Sequence, residues 1–508
     1  MNLTEDKTRL LYESLKSKLG EPGEWQWLFI PDGKRLIDTN VKRLSLNKCC
    51  ENPTFQEQDK PLSAFVCEGA SIPVLHDWDT MQVFMHNDCI EAYPRFLRAG
   101  EQSEYRFNPT KLKVGILIAG GIAAGLNMVV DSIVKRHFSL ATQLAKRVPN
   151  TIRIYGYDGG YKGMMEGRKC LLAPSNGAAR EADYPTDPPT RVTDPFALSE
   201  GSRLLKAGRG KELTDKDEIR TFALEHAKKI VADELDILYV IGGNGTLGWS
   251  GHIYEALEGI QNHKPIAIVG GPKSMDNDTF FTDATFGFRT AVDQATDFVL
   301  AIHADASSQD RLGLLEVFGA GTGWVALHAC YDSGEGDEVL IPERMPEDQK
   351  DYDDFLKGIL DYVEDRLEDK GHAVLVVAEG AMPGYRFGDS DAKAKAFETL
   401  FSKIKQSYGL DRKKSGKEPF SISDVRTRYL VRSTPPNTYD IELCKVTGKL
   451  MVDTALAGFT GCAVHRWQND YVLVPFRTAT ERLKRVPIWD YFLQTFLDRL
   501  RVQKVKTS

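Results

Sequence analysis

Metal-ligating cysteine pairs, a membrane-length apolar run and a basic cluster are all missing from this chain of 508 residues. Its eight cysteines fall into no metal-ligand spacing; Cys49 and Cys50 form the one close pair, and reduced thiols are the expected state. No apolar stretch is long enough to span a bilayer, and the opening Met1-Asn2-Leu3-Thr4-Glu5-Asp6-Lys7 lacks the basic-then-apolar form of a signal peptide. A cytoplasmic protein with no membrane partner is therefore expected. Basic residues are dispersed and the net charge is -7, which argues against nucleic acid as a partner. The hydrophobic content, 42%, suffices for two or three domains with cores of their own.

From Lys111 onward, short apolar strands alternate with helical stretches, which predicts an α/β fold with parallel sheets covered on both faces by helices. Residues 1–95 stand apart. Thr4 caps a predicted helix running to Gly20, with Leu10, Leu11, Leu15 and Leu19 at helical spacing. Beyond it, Trp25, Trp27, Leu28, Phe29 and Ile30, and later Phe65 to Cys67, read as strand pieces in a small appended domain or oligomer contact. The aromatic residues there read as core and not as a cofactor stack. Pro185 to Pro195, with Pro188-Pro189, reads as a surface loop, and the acidic stretch Glu347 to Asp354 as a solvated helix start. Residues 486–508 read as a C-terminal helix, amphipathic over Tyr491 to Leu500, ending in a frayed tail from Lys504 to Ser508.

Chemistry concentrates in strand-to-loop junctions. The run Pro265-Ile266-Ala267-Ile268-Val269 enters Gly270-Gly271-Pro272-Lys273-Ser274-Met275-Asp276-Asn277-Asp278, a turn with two acids, a hydroxyl and a lysine. Phosphoryl transfer needs such a set: one carboxylate to take a proton from an attacking hydroxyl, a second to help hold Mg²⁺, and a cation to answer phosphate oxygens. Taken alone, the same acids read equally well as caps opening a helix. Two more strands end in glycine turns, Gly242-Gly243-Asn244-Gly245-Thr246 and Gly120-Gly121-Ile122-Ala123-Ala124-Gly125-Leu126-Asn127. Glycines let backbone N–H groups approach an anion near a helix start. Neither turn fits the dinucleotide fingerprint or the nucleotide loop that ends in Lys-Ser or Lys-Thr.

In this order the three loops resemble the phosphofructokinase family. The likeness continues through Thr285-Phe286-Gly287-Phe288-Arg289-Thr290-Ala291, Gly313-Leu314-Leu315-Glu316-Val317-Phe318-Gly319, Val339-Leu340-Ile341-Pro342-Glu343 and Val377-Ala378-Glu379-Gly380-Ala381. It ends with Tyr429-Leu430-Val431-Arg432 and Leu456-Ala457-Gly458-Phe459-Thr460-Gly461, and covers roughly residues 96–480. The approach, Arg98-Ala99-Gly100 to Tyr105-Arg106-Phe107-Asn108-Pro109, is similar to that of the long ATP-dependent group of plants and protozoa. The resemblance implies two doubly wound, Rossmann-like lobes over residues 96–485, one for the donor and one for the sugar phosphate, with the site in the cleft between them.

It also implies roles. Asp276 resembles the general base that deprotonates the sugar 1-hydroxyl, Ser274 the hydroxyl that contacts the transferring phosphoryl, and Asp278 a metal-positioning acid. Gly120, Gly121, Gly243, Asn244, Gly245, Thr246 and Lys273 fall on the donor side, with Arg209 as a cation bridging the donor phosphates. On the sugar side fall Phe318, Gly319, Glu379, Tyr429 and Arg432, with Arg426 and Arg428 as candidates and Arg311 as an arginine that in some members enters from a neighbouring subunit. A homo-oligomer, dimer or tetramer, is expected on that ground. The implied cofactor is Mg²⁺, held at Asn244 and Asp278, and the implied substrates are ATP or pyrophosphate and fructose 6-phosphate.

Departures from the family pattern bear on function. Asn244 replaces the aspartate of Gly-Gly-Asp-Gly-Thr, removing a charge associated with Mg²⁺. Trp249 stands where a small glycine borders the nucleotide, so its ring either stacks on adenine or occupies its place. Phe318-Gly319-Ala320 replaces Met-Gly-Arg, and Ala124-Gly125 replaces Pro-Gly. Gly245 leaves room for an α-phosphate where pyrophosphate-using relatives carry a bulky aspartate, which favours ATP; Lys273 serves either donor. Three functions follow: an ATP-dependent 6-phosphofructokinase, the same chemistry with pyrophosphate or another sugar phosphate, and a catalytically silent homologue that binds a sugar phosphate or nucleotide.

Overall fold

Strands that read as unbroken apolar runs belong inside a sheet covered on both faces. Lys113–Ile118, Ile237–Gly242 and Ala267–Pro272 are such runs, and they pair in parallel with Ile237–Gly242 in the middle. The computed structural model describes the chain apart from residues 1–2, 21–22, 32, 54–65, 68, 146–150, 175–190, 194–203, 209–214, 415, 417–419, 488–489 and 507–508. The chain forms two compact units, one of residues 1–274, 279–286 and 441–482, the other of residues 275–278, 287–440 and 483–508.

Among the described residues, the first unit carries a ten-stranded sheet. Its middle runs parallel in the order Cys462–Trp467, Ala267–Pro272, Ile237–Gly242, Lys113–Ile118, Arg153–Tyr157. Antiparallel strands extend both sides, a departure from the wholly parallel expectation. Asp470–Pro475, Arg95–Arg98 and Ser71–Pro73 continue one side, and Lys169–Pro174 the other. Arg191–Thr193 pairs with Lys169–Pro174, so part of the stretch expected as a surface loop is a strand; its neighbours 185–190 and 194–195 lie outside the described residues.

Residues 1–95 share this unit's core. Leu15, Trp25 and Phe29 belong to the same buried cluster as Phe96, Phe281 and Trp467. Thr4 caps the helix Glu5–Leu19 as its sequence predicts, accepting from the Lys7 N–H; Leu11 and Leu15 are buried while Leu10 is 65% exposed, so the apolar stripe is narrower than the leucine spacing implies. Glu24–Leu28 is a 3-10 helix where a strand piece was expected. The cause is local: the Trp25 indole N–H donates to the Gly20 carbonyl at 3.0 Å, folding the ring back on the preceding turn. Of the strand piece expected at Phe65 to Cys67, Val66 and Cys67 lie in no strand and Phe65 lies outside the described residues.

Among its described residues the second unit has four parallel strands in the order Glu338–Leu340, Ala373–Ala378, Arg311–Val317, Ser421–Arg426. Helices Phe288–Ser308, Trp324–Ser333 and Gln349–Lys370 pack against them. Asp348 precedes the last of these, and residues 347–351 are exposed, as expected of a solvated helix start. The C-terminal helix spans Tyr491–Lys506, further than the expected Leu500 and into the stretch read as frayed. No helix among the described residues is long and apolar enough to cross a membrane.

Candidate active site

Parallel strands of an open α/β sheet end on one side, where ligands bind. In the first unit the adjacent strands ending at Ile118, Gly242 and Pro272 therefore carry the three glycine loops side by side. Lys273 is 5% exposed, and its ammonium donates to the Gly121 carbonyl while its backbone N–H donates to Gly242 O at 2.9 Å. Gly120 has φ +91°, and a Cβ built there would lie 3.1 Å from the Lys273 Nζ and 3.7 Å from the Thr246 Oγ1. The loops thus converge on one buried cation, and a side chain at Gly120 would crowd it. Gly243 and Asn244 begin the helix Asn244–Glu258, with no side-chain cap on its first amides. A Cβ at Gly245 meets nothing within 4 Å, so the space there is open.

Ser274 closes this side. Phe286 forms an isolated parallel bridge with Lys273, and the Thr285 hydroxyl donates to the Ser274 carbonyl, so the Thr285-Phe286 motif braces the lysine and serine from within the same unit. Gly208 likewise bridges Ala119 beside the first loop, and its carbonyl accepts from the Gly120 N–H at 3.1 Å. Arg209 itself lies outside the described residues.

The acids belong to the second unit. Asn277 adopts φ +53°, a left-handed turn that asparagine tolerates better than most residues. It separates the half-buried Asp276 and Asp278, whose carbonyls are both pinned: the Thr322 hydroxyl donates to Asp276 O at 2.9 Å and the Lys484 N–H to Asp278 O at 2.9 Å. No helix opens at these acids, so the helix-cap alternative for them does not apply.

Sugar-side candidates gather around the ends of strands Arg311–Val317 and Ala373–Ala378. The Gly380 N–H donates to Gly319 O at 2.9 Å, and Gly380 has no room for a side chain because a Cβ would lie 2.0 Å from Ala320 O. Glu379 and Gly319 are thereby held on adjacent loops. The Arg432 guanidinium lies 4.9 Å from the Phe318 ring centre and 4.7 Å from that of Tyr429, a stack that fixes the cation's plane. Burial holds the Glu316 carboxyl above its usual range, opposed by the positive charges of Arg428 and Arg426 and reinforced by Glu379. These four side chains share one electrostatic neighbourhood.

Other candidates lie apart from these clusters or are already engaged within them. Arg311 begins its strand, roughly 20 Å of extended chain from Phe318. It bonds Ser423 Oγ at 2.9 Å and pairs with Asp305 at 3.6 Å. Arg426 is engaged by Glu398 at 2.6 Å and lies over Phe397 at 4.1 Å. Trp249 packs its ring 4.5 Å from Phe222 on the neighbouring helix Lys216–Ala232, a helix-to-helix contact that the adenine-stacking and adenine-blocking alternatives both overlooked. Among the described residues no group of three or more His, Cys, Asp or Glu side chains is arranged to hold a metal ion.

Sequence reasoning passed over Glu316, Thr322 and Lys484. Glu316 had a signal, a lone charge in the apolar run Gly313 to Val317. Thr322 and Lys484 had none, because their contacts to the aspartate turn come from 46 and more than 200 residues away in sequence.

The family model described as Phosphofructokinase matches residues 113–455. The chain is 31% identical over 447 residues to an ATP-dependent 6-phosphofructokinase of Amycolatopsis methanolica, covering 85% of this chain and 88% of that protein. It is 30% identical over 394 residues to an ATP-dependent 6-phosphofructokinase of Entamoeba histolytica, covering 76% and 81%. Among solved structures, a pyrophosphate-dependent phosphofructokinase from Marinobacter aquaeolei shares the fold, with a TM-score of 0.56 at 20% identity over 77% of this chain and 91% of that one.

Proposed function

The chain belongs to the phosphofructokinase family, and from that premise we propose that it transfers the terminal phosphoryl of ATP to the 1-hydroxyl of fructose 6-phosphate, giving fructose 1,6-bisphosphate. The observation that carries the reading is the Asp276 carboxylate, kept on a turn whose flanking carbonyls are pinned by Thr322 and Lys484. A base must hold one position to take a proton as the hydroxyl attacks. In this reading Asp276 accepts that proton, Glu379 holds sugar hydroxyls, and Arg432 and Arg428 answer the sugar phosphate. Lys273 and the loop amides after Gly120 and Gly243 receive the donor phosphates, and the Ser274 hydroxyl contacts the group in transit. The open space at Gly245 supports ATP over pyrophosphate.

Mg²⁺ takes one or two protein carboxylates and leaves its other positions to phosphate oxygens and water; in this reading the half-buried Asp278 carboxylate and the Asn244 amide would each offer it an oxygen. When bound, the ion neutralises charge building on the phosphoryl oxygens. A homo-oligomer in the cytoplasm is part of the proposal, in which Arg311 would meet the sugar phosphate of a neighbouring copy.

The test is direct. Purified protein with Mg²⁺ and fructose 6-phosphate, given ATP in one sample and pyrophosphate in another, is expected to make fructose 1,6-bisphosphate with ATP. Asp276→Asn is expected to lower kcat by roughly two to four decades with little change in sugar binding. Product with pyrophosphate alone would reassign the donor. Ala320, in place of a family arginine, favours one other reading, a silent homologue; ligand binding without product from either donor would establish it.

A further inference from the structure

Glu343 takes no part in the proposed chemistry, yet its carboxylate sits where two separate arms of the second unit meet. It lies in the Pro342–Arg344 turn that follows the strand Glu338–Leu340. Its Oε1 accepts from the Gly323 N–H at 3.1 Å and from the Val486 N–H at 2.9 Å. Gly323 directly follows Thr322, whose hydroxyl bonds Asp276 O; Val486 stands two residues after Lys484, whose N–H bonds Asp278 O. The Trp324 indole N–H donates to Lys484 O at 2.9 Å and ties the second arm to the first.

We propose that Glu343 is a positioning residue: one carboxylate oxygen fixes both arms of a clamp whose tips hold the two carbonyls of the Asp276–Asp278 turn, and so sets where the Asp276 carboxylate points. The alternative role, a plain helix cap, is also available, because Gly323 precedes the helix Trp324–Ser333 and has no side chain to cap it. A cap alone would not need the Val486 contact. Space enforces the arrangement, since a Cβ at Gly323 would lie 2.3 Å from the Ile341 side chain and 3.0 Å from the Glu343 Oε2. Burial holds the Glu343 carboxyl above its usual range, and the two amides oppose that shift. The charge is thus kept out of water at some cost, as expected where it has a positional duty.

The inference rests on Asp276 acting as the base, so its test has one readout that uses activity and one that does not. Glu343→Ala is expected to lower kcat about 10- to 100-fold with KM for fructose 6-phosphate within about threefold, as misplacement of a base predicts. Deuterium exchange in the peptide covering residues 275–279 is expected to speed up about tenfold, with that of strand Ala373–Ala378 unchanged. Glu343→Gln keeps an acceptor oxygen and should stay within about threefold of wild type in both readouts. Thr322→Val added to Glu343→Ala should cost little more than either alone, because both cut the same arm. Unchanged exchange in Glu343→Ala, or losses that simply multiply in the double variant, would overturn the clamp. If wild type makes no product, the functional reading falls while exchange still decides the clamp. Should Glu343→Ala not fold, Glu343→Asp, one methylene short of both amides, is held to the same exchange outcomes.

Discussion

Gly245 and Trp249 are neighbours on one helix, and the structure gives them opposite weights. A Cβ at Gly245 enters open space, so Gly245→Asp should leave the melting temperature unchanged. Its carboxylate would meet the α-phosphate of a nucleotide, and like charges brought together cost several kcal/mol, so ATP-dependent kcat/KM should fall on the order of 100-fold. Unchanged ATP use would show that the donor lies elsewhere. Trp249 instead packs on Phe222. Trp249→Ala should cost about 2 kcal/mol of stability in urea titrations and leave KM for ATP within about threefold. A KM raised tenfold or more would return the ring to the nucleotide.

At the scale of elements, the second unit relies on carboxylates supplied from far along the chain. Asp440, fully buried, accepts from the Gly287 N–H at 2.9 Å, the Thr290 N–H at 2.8 Å and the Thr290 hydroxyl at 2.6 Å, capping the helix Phe288–Ser308 across 150 residues of sequence. Gly287, which precedes that helix, has no side chain to do this. Asp440→Ala would strand buried donors and should cost about 2 to 4 kcal/mol, read as a shift of the urea midpoint. A shift under half a kcal/mol would mean that water replaces the cap.

Across the whole molecule, buried histidines couple stability to pH. Burial holds His137 and His328 down to about 3 and His465 to about 4, from an ordinary value of 6.5; Arg136 adds to the shift at His137, and Arg289 and Lys484 at His328. The unfolded chain therefore takes up protons near pH 6.5 while the folded chain does not until far lower. Stability is fully present above that pH and is lost as pH falls toward 4, by up to about 1.4 kcal/mol per histidine per pH unit once below pH 6. Burial of Glu316 and Glu343 works in the other direction, since their raised carboxyls lose stability as pH rises through the folded values. Because carboxyls titrate mostly at lower pH, the urea midpoint should drop between pH 7 and pH 5. A flat midpoint over that range would mean that the histidines are not buried in solution.

Much was legible in the sequence because it depends on neighbours along the chain. The apolar runs that become parallel strands, the Thr4 cap, the glycine loops and the order of the family motifs are all short-range patterns, and Gly120, Gly243 and Lys273, expected on the donor side, lie close together on adjacent strand ends. The Glu24–Leu28 turn was misread because aromatic residues suit both a strand and a bent-back ring, and only the Trp25 bond to Gly20 chooses. Tertiary structure alone decided that residues 1–95 share a core with Trp467, that Trp249 belongs to Phe222, and that Thr322, Lys484 and Glu343 hold the aspartate turn. The physical reason is range: propensity and periodicity are properties of adjacent residues, whereas a hydrogen bond or ring contact between distant segments exists only once the fold has brought them within a few ångströms.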